Sequence, residues 1–515
     1  MQKLFIVAIL FFLVSCCSLN LQGEAAVNYK KAGENRHELY KAVRYFQKKG
    51  DPQQIEALYF LLENMDEHSY VEYAVYDSND VEFEFNVLDY PDYDSMVEYM
   101  ETVEKEIGEL HYTRKTHLPD LETITAHILI ENIEQSFEVW RTQKWAQDIS
   151  FETFCELILP YRGSNEPLES FRLWFREYYS DLPGKLENAS DPIEAAGYIN
   201  TELIKWFTFD PRFYWHPTDQ GLTEMRENGL GRCEDMTNLA IYAMRANGLP
   251  VTSDYTPYWA DTGNNHAWNA ILSEDGMAIP FMGCEANPGH YNLRPKMAKA
   301  YRKTFSRQKD NLVFKLEDWE DAPPWLSGKY YTDVTEQYTD AINVRVKLAR
   351  TIPDSTNYAY LCVFNSGDWK AIHWGKISDN QVVFTNMGKD IMYLPMFYVH
   401  EELIPAGNPF ILHSSNEAEI ITGSESTVDL RLVSTTKVTV EDATEGKDIV
   451  HLTEGNEYEL FYWHDGWQSA GGITSGKDPI QFQDVPANRL YWLVEKESRR
   501  EERIFTWDKN QQVWW

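Results

Sequence analysis

The chain has 515 residues, with 81 acidic and 47 basic side chains and a formal net charge of -34. A field of that sign repels phosphate backbones, so we expect no nucleic acid partner. Hydrophobic residues make up 43% of the chain and aromatic residues 14%. We therefore expect several globular domains, because single cores stop growing at about 250 to 300 residues.

The first residues predict an export signal. Lys3 precedes an apolar run over residues 4–14 that is too short to span a bilayer as a mature helix. The Leu-Val-Ser-Cys that ends at Cys16 resembles the cleavage box of bacterial lipoproteins, and an ordinary cleaved signal peptide is the alternative. The resemblance implies a lipidated Cys16 and, because Cys17 follows in place of an aspartate, sorting to one face of the outer membrane. Residues 1–23 are then signal peptide and tether, and the lipid anchor is the expected membrane contact.

Residues 24–190 are predicted to form a helical N-terminal region. Ile55, Leu58, Tyr59 and Leu62 recur at the spacing of one buried helical stripe. Near the end of the region, the segment 154–167 terminates a helix at a proline and exposes polar groups. It reads either as a contact to the next domain or as a plain linker between helices, and the linker is the favoured reading.

A cysteine at a helix start is the first chemical feature. Gly-Leu-Gly-Arg-Cys-Glu-Asp over residues 229–235 opens an amphipathic helix that ends at Asn247-Gly248. This puts Cys233 at the helix N-terminus, where free N–H groups and the macrodipole favour a thiolate. One of those N–H groups could also receive a developing oxyanion. Glu234 and Asp235 oppose the thiolate, because nearby carboxylates disfavour a second negative charge.

A histidine at the start of a strand is the second feature. Residues 251–255 read as one strand and residues 266–272 as the next, with His266 at its mouth. An Asp275-Gly276 turn and a third strand through Phe281 follow. An imidazole beside a helix-capping cysteine can serve as its general base.

These two motifs, Gly-Arg-Cys on a helix and then His-Ala-Trp on a strand, resemble the transglutaminase-like superfamily over about residues 191–310. The resemblance implies a papain-like core in which a thiolate attacks an amide carbonyl, forms an acyl-enzyme and releases it to water or to an amine. The Gly-Arg-Cys motif is also similar to that of the peptide N-glycanases, a branch of the same superfamily.

The third member of the triad departs from the family pattern. Family proteins usually place an aspartate on the strand after the histidine strand, but here that strand ends in Phe-Met-Gly-Cys-Glu at residues 281–285. Folding the hairpin sets Gly283 opposite His266, which puts Glu285 on the face of His266. Glu285 is therefore the candidate that orients the imidazole, and Asn287 is the second choice. Cys284 reads better as a packed thiol than as a nucleophile.

The C-terminal third predicts two tandem β-sandwich-like modules, over residues 330–420 and 421–515, after a turn-rich connector. Trp369 and Trp467, and likewise Tyr393 and Tyr491, are 98 positions apart, which indicates an internal repeat. The aromatic residues at 491–493 and 513–515 read either as a glycan-contacting surface or, preferably, as sandwich core.

The expected architecture is thus a multi-domain α+β protein, with a helical N-terminal region, a transglutaminase-like core and two β modules. The expected function is an exported cysteine-dependent hydrolase or acyl transferase that acts on a peptide or protein through Cys233, His266 and Glu285. A catalytically inactive binding or scaffold protein and a peptide N-glycanase-like amidase are the alternatives. No cofactor or metal is expected, because the sequence has no paired metal-ligand spacing.

Overall fold

The computed structural model describes residues 19, 21–273, 276–354, 356–437, 451–496, 498 and 501–515. The predicted lipidation site Cys16, its neighbour Cys17 and the predicted turn residue Asp275 lie outside these residues. Within the described part of the chain, no helix combines the length and the apolar character needed to cross a membrane.

The N-terminal region is mainly helical, and its helices have defined ends. The left-handed Gly50 (φ 77°) ends the second helix, and the Asp51 side chain then caps the third by accepting from the Gln53 and Gln54 N–H groups. Leu58 and Leu62 of the predicted stripe are fully buried. The helices are α1 (Gly23–Lys31), α2 (Arg36–Lys49), α3 (Pro52–Asn64), α4 (Tyr93–Ile107), α5 (Asp120–Thr123), α6 (Ala126–Thr142), α7 (Phe151–Leu157) and α8 (Arg172–Tyr178).

The same region also contains a small antiparallel sheet that the sequence did not predict. Its strands are β1 (Ser69–Tyr76), β2 (Glu82–Phe83) and β3 (His111–Pro119), in the order β2-β1-β3. Almost every residue of β3 is exposed, so this strand lacks the apolar alternation that marks a half-buried strand. The sheet faces the core domain at one end, where the Tyr112 hydroxyl donates to the Trp215 carbonyl.

The core domain packs one central helix against a five-stranded antiparallel sheet of order β10-β9-β6-β7-β8. Its helices are α9 (Pro192–Ile204), α10 (Leu222–Asn228) and α11 (Cys233–Ala246). Its strands are β4 (Thr208–Phe209), β5 (Leu230–Gly231), β6 (Val251–Thr256), β7 (His266–Leu272), β8 (Ala278–Phe281), β9 (Tyr301–Lys303) and β10 (Tyr331–Asp333). Because β10 pairs with β9, the core extends past residue 310, the boundary predicted from the sequence.

The two faces of this sheet have different partners. Trp268 packs in the cluster that contains the buried residues of α11, whereas the adjacent Ala267 packs in a cluster shared with the C-terminal part of the chain. Side chains alternate between faces along a strand. His266 therefore shares the α11 face with Trp268.

The C-terminal part folds as two copies of one strand arrangement. The first copy contains β11 (Ala341–Lys347), β12 (Tyr358–Asn365), β13 (Asp368–Lys376), β14 (Gln381–Gly388), β15 (Ile391–Val399), β16 (Glu402–Pro405), β17 (Phe410–Leu412) and β18 (Ala418–Ile420). The second contains β19 (Thr427–Leu432), β20 (Glu457–Trp463), β21 (Trp467–Thr474), β22 (Ile480–Pro486), β23 (Tyr491–Glu495), β24 (Ile504–Asp508) and β25 (Gln511–Trp514). In each copy the first strand pairs with the fourth, and the second pairs with the third and the fifth.

Residues that lie 98 positions apart occupy equivalent positions in the two copies. Tyr393 in β15 donates its hydroxyl to the Gly388 carbonyl at 2.8 Å, and Tyr491 in β23 donates to the Pro486 carbonyl at 2.6 Å. The Tyr491 ring is fully buried, as a core position requires. A glycan contact through these modules stays a prediction. The order of helical region, core and β modules is the multi-domain α+β architecture that the sequence predicts.

Candidate active site

Cys233 is held at the start of α11 by a buried carboxylate. Asp235 accepts from the backbone N–H of Arg232 at 2.9 Å and from that of Gln220 at 2.8 Å, which fixes the turn into the helix. Gly229 supplies the left-handed residue (φ 66°) that ends α10 just before it. Cys233 is half-buried, whereas the other cysteines that the structure describes are buried.

Cys233 and His266 line one cleft of about 1140 Å³. His266 is the first residue of β7 and pairs with Thr256, and its ring lies 6.0 Å from that of Trp259 and 6.1 Å from that of Trp268. Both tryptophans are buried. The structure therefore brings the predicted nucleophile and base to the same cavity, with the two tryptophans packed behind the imidazole.

A tyrosine that the sequence analysis did not single out contacts the imidazole. The Tyr291 hydroxyl lies 2.5 Å from His266 Nε2. Burial raises the pKa of Tyr291, and the nearby Glu285 and Cys233 raise it further, so the phenol stays neutral. Among the described residues, Nδ1 of His266 has no hydrogen-bond partner. If Nε2 carries the ring proton and donates it to Tyr291, Nδ1 is a free base.

The structure does not place Glu285 beside His266. β8 ends at Phe281, and the chain then turns back, with the N–H groups of Glu285 and Ala286 both donating to the Met282 carbonyl, at 3.1 and 2.9 Å. Glu285 is exposed, and among the described residues no hydrogen bond joins it to His266. The predicted hairpin register was off by one residue, and the turn carries Glu285 away from the sheet face on which the prediction relied.

Asn287 and Cys284 also have other partners. Asn287 accepts from the Asn200 amide at 3.0 Å and donates to the Thr201 hydroxyl at 2.9 Å. Cys284 is buried with φ 60°, and its N–H donates to the Asn200 side chain at 2.8 Å. Neither is available to orient the imidazole in this arrangement.

Burial favours the neutral forms of both the Cys233 thiol and the His266 imidazole. Burial raises the pKa of Cys233 to about 12, and the Glu234 and Asp235 carboxylates add to the rise, against a lowering by Arg232. Burial also lowers the pKa of His266, although Glu234 opposes this. Burial and the two carboxylates therefore favour the thiol over the thiolate expected from the helix N-terminus.

Ion pairs surround Cys233. The Lys303 ammonium donates to the Glu234 carboxylate, and Arg232 pairs with Asp219 at 2.6 Å. These cations offset the negative charge next to Cys233. No three His, Cys, Asp or Glu side chains cluster as a metal site would require, in the part of the chain that the structure describes.

One wall of the cleft comes from the N-terminal region. Arg162 forms a buried pair with Asp120 at 2.6 Å, and the Glu166 carboxylate accepts from the Gly163 and Ser164 N–H groups, both at 2.7 Å. A Cβ on Gly163 would lie 2.3 Å from the side chain of Asn238 in α11. The favoured prediction of a plain linker between helices was wrong: the segment packs on α11 and lines the cleft.

Comparison with known proteins bears on this geometry. Residues 181–281 match the family model of the transglutaminase-like superfamily. No curated protein sequence matches the chain significantly. Among solved structures, the crystal structure of red sea bream transglutaminase is similar at 9% identity, over 87% of this chain and 77% of that one, with a TM-score of 0.22 that is too low to support an argument. The matched segment contains Cys233, His266 and the strands that hold them. The chain therefore carries a domain of the transglutaminase-like superfamily.

Proposed function

We propose that the protein is a cysteine-dependent amide hydrolase or acyl transferase, with Cys233 as nucleophile, His266 as base and Tyr291 as the residue that orients the base. The observation that supports this most directly is the 2.5 Å contact between Tyr291 and His266 Nε2, in the cleft that Cys233 also lines. With the ring proton on Nε2 and donated to Tyr291, Nδ1 is the basic nitrogen.

In the proposed acylation step, the Cys233 sulfur attacks the carbonyl carbon of an amide while its proton passes to His266. A sulfur–carbon bond forms, and the carbonyl electrons move to oxygen. The free N–H groups at the start of α11 can stabilise that oxyanion. When the intermediate collapses, the carbon–nitrogen bond breaks and the imidazolium gives its proton to the leaving amine.

The acyl-enzyme is resolved by the same base. His266 takes a proton from water or from an amine while the oxygen or nitrogen forms a bond to the acyl carbon. The carbon–sulfur bond then breaks and the imidazolium returns the proton to sulfur. Water gives hydrolysis, and an amine gives transfer. Because burial lowers the pKa of His266, the imidazole is unprotonated at pH 7 and can accept the proton.

A second candidate function is a binding protein that keeps the fold without turnover. The raised pKa of Cys233 favours it, because only a small fraction of such a thiol is ionised near neutral pH. A tyrosine also stabilises an imidazolium less than the carboxylate of the family pattern would, because a neutral oxygen is a weaker acceptor.

The deciding experiment uses an activated acyl donor. The protein without its first 23 residues is mixed with p-nitrophenyl acetate, and nitrophenolate release is followed together with the intact mass. The proposal predicts an acetyl group on Cys233 that forms at least about a hundredfold more slowly in His266→Ala, the scale of general-base catalysis. Acetylation that does not depend on His266 would favour the binding protein.

Export and lipid attachment at Cys16 are a further part of the proposal and rest on the sequence alone. Expression of the full chain in a Gram-negative host with a radiolabelled fatty acid tests them. We expect label in the protein and its loss in Cys16→Ser, with Cys17→Ser as the matched control that keeps the label. Label that survives Cys16→Ser would refute lipidation at this residue.

A further inference from the structure

The histidine depends on a loop with little structure of its own. Residues 257–265 connect β6 to β7 and lead directly into His266. Within the loop, the Trp259 N–H donates to the Asn264 carbonyl at 3.2 Å. Toward the core domain, Ala260 donates to the Lys296 carbonyl at 2.9 Å. Because His266 is the first residue of β7, the conformation of this loop sets the position of its imidazole.

One side chain of the first β module forms hydrogen bonds to three backbone carbonyls of this loop. Asn365, the last residue of β12, is buried, and its amide nitrogen lies within hydrogen-bond distance of three backbone oxygens. These are the oxygens of Trp259 and Thr262, both at 3.0 Å, and of Asn264 at 2.9 Å. The neighbouring Ser366 hydroxyl accepts from the Asn264 N–H at 3.3 Å. Because a side-chain amide has two N–H hydrogens, at least one of them is shared between two of these oxygens, and the bond to the Trp259 carbonyl is buried.

A second anchor comes from the other β module. The Arg503 side chain is 2% exposed, and its guanidinium donates to carbonyl oxygens on three parts of the chain. These are Ala260 at 2.7 Å, Phe364 at 2.8 Å, Trp515 at 2.9 Å and Thr262 at 3.4 Å. Arg503 thus ties the loop to both modules.

The loop backbone fits closely against this anchor. A Cβ added at Gly263 would lie 1.5 Å from the Glu501 carboxylate, so glycine is what lets the two approach. Glu501 is itself held by Arg503 at 3.2 Å. The contact surface between loop and modules is therefore specific in shape as well as in hydrogen bonds.

We propose that Asn365 and Arg503 are positioning residues for His266, so that the two C-terminal β modules hold the base of the candidate active site in place. This rests on the proposed function for its catalytic meaning. The positioning itself rests on the bonds to the loop carbonyls. Without these donors, the Trp259 and Ala260 carbonyls lose the partners that they reach in buried bonds, and the loop rearranges to hydrate them.

The test compares Asn365→Ala with Asn28→Ala in the protein without its first 23 residues. Asn28 is the matched control: it is equally buried, and it donates to the Leu62 and Glu63 carbonyls, at 2.9 and 3.0 Å, in the N-terminal region. Three quantities are measured: hydrogen exchange of the amides in residues 259–266, the pH titration of the His266 ring by NMR, and the rate of Cys233 acetylation. His266→Ala assigns the ring signal.

For Asn365→Ala we expect loop amides that exchange about tenfold faster or more, because local opening becomes easier. We also expect a His266 pKa that moves up toward its ordinary value as water reaches the ring, and acetylation about tenfold slower or more. Asn28→Ala should change none of the three, even if it lowers the melting temperature by a similar amount. If Asn365 only stabilised the fold, the two variants would not differ in loop exchange, in the His266 titration or in the acetylation rate.

Loop exchange and a His266 titration that stay as in wild type would overturn the proposal. If wild-type Cys233 is not acetylated at all, the proposed function fails, while exchange and titration still decide the positioning. If Asn365→Ala does not fold, Arg503→Lys replaces it, because lysine keeps the charge and cannot reach carbonyls on three sides. The same readouts then apply with the same outcomes.

Discussion

Removing one hydroxyl tests whether Tyr291 orients the base. In Tyr291→Phe the ring stays and the 2.5 Å contact to His266 Nε2 is lost. A neutral hydrogen bond contributes about 0.5 to 1.5 kcal/mol. At about 1.4 kcal/mol for a factor of ten in rate, Cys233 acetylation should slow by about two- to twelvefold.

The control for this variant is a second tyrosine of the cleft. Tyr214 lies close enough to Cys233 for the two to interact electrostatically, but it makes no hydrogen bond to His266 among the described residues. Acetylation rates measured across a pH series should fall in the order wild type, Tyr291→Phe, His266→Ala, with Tyr214→Phe equal to wild type. The reasoning is refuted if Tyr291→Phe matches wild type while His266→Ala is slow, or if Tyr214→Phe slows as much as Tyr291→Phe.

Two further predictions concern charge in the cleft. Lys303→Met leaves the Glu234 carboxylate unpaired, so the pKa of Cys233 should rise further. Alkylation of Cys233 by iodoacetamide at pH 8 should then slow about threefold or more. Adding Glu234→Gln should restore the rate. Burial lowers the pKa of His68, which stacks on Phe305, to about 4. Because the folded pKa lies below the unfolded one, stability is full above pH 6.5 and falls toward pH 4 by up to about 3 kcal/mol. Urea titrations should show this loss in wild type and less of it in His68→Gln; equal losses would contradict the assignment.

The sequence was informative where a local signal sets local structure. The glycines and acids around Cys233 predicted the start of α11, and the largely apolar run over residues 266–272 before the Asp275-Gly276 turn predicted β7. The repeat was visible because equivalent aromatic residues occupy core positions in both modules, as the paired hydroxyl bonds of Tyr393 and Tyr491 show. Each of these signals is contained within a few residues or within a fixed offset.

The sequence failed where the site depends on distant parts of the chain. Tyr291 lies in an irregular segment with no motif, and only the tertiary fold brings its hydroxyl to His266. The error about Glu285 arose because an early turn at Met282 cannot be read from apolar alternation. The cleft wall at Arg162 was missed because its partners are a carboxylate in α5 and the side of α11.

The contacts of the loop over residues 257–265 also determine the order in which the parts of the site come together during folding. Cys233 and His266 are synthesised well before Asn365 and Arg503, yet the loop carbonyls that precede His266 find their donors only in those later residues. Contacts between segments so far apart in the chain form late and slowly. Cys233 and His266 are therefore synthesised first and positioned last, so a growing or still unfolded chain does not hold a finished candidate site.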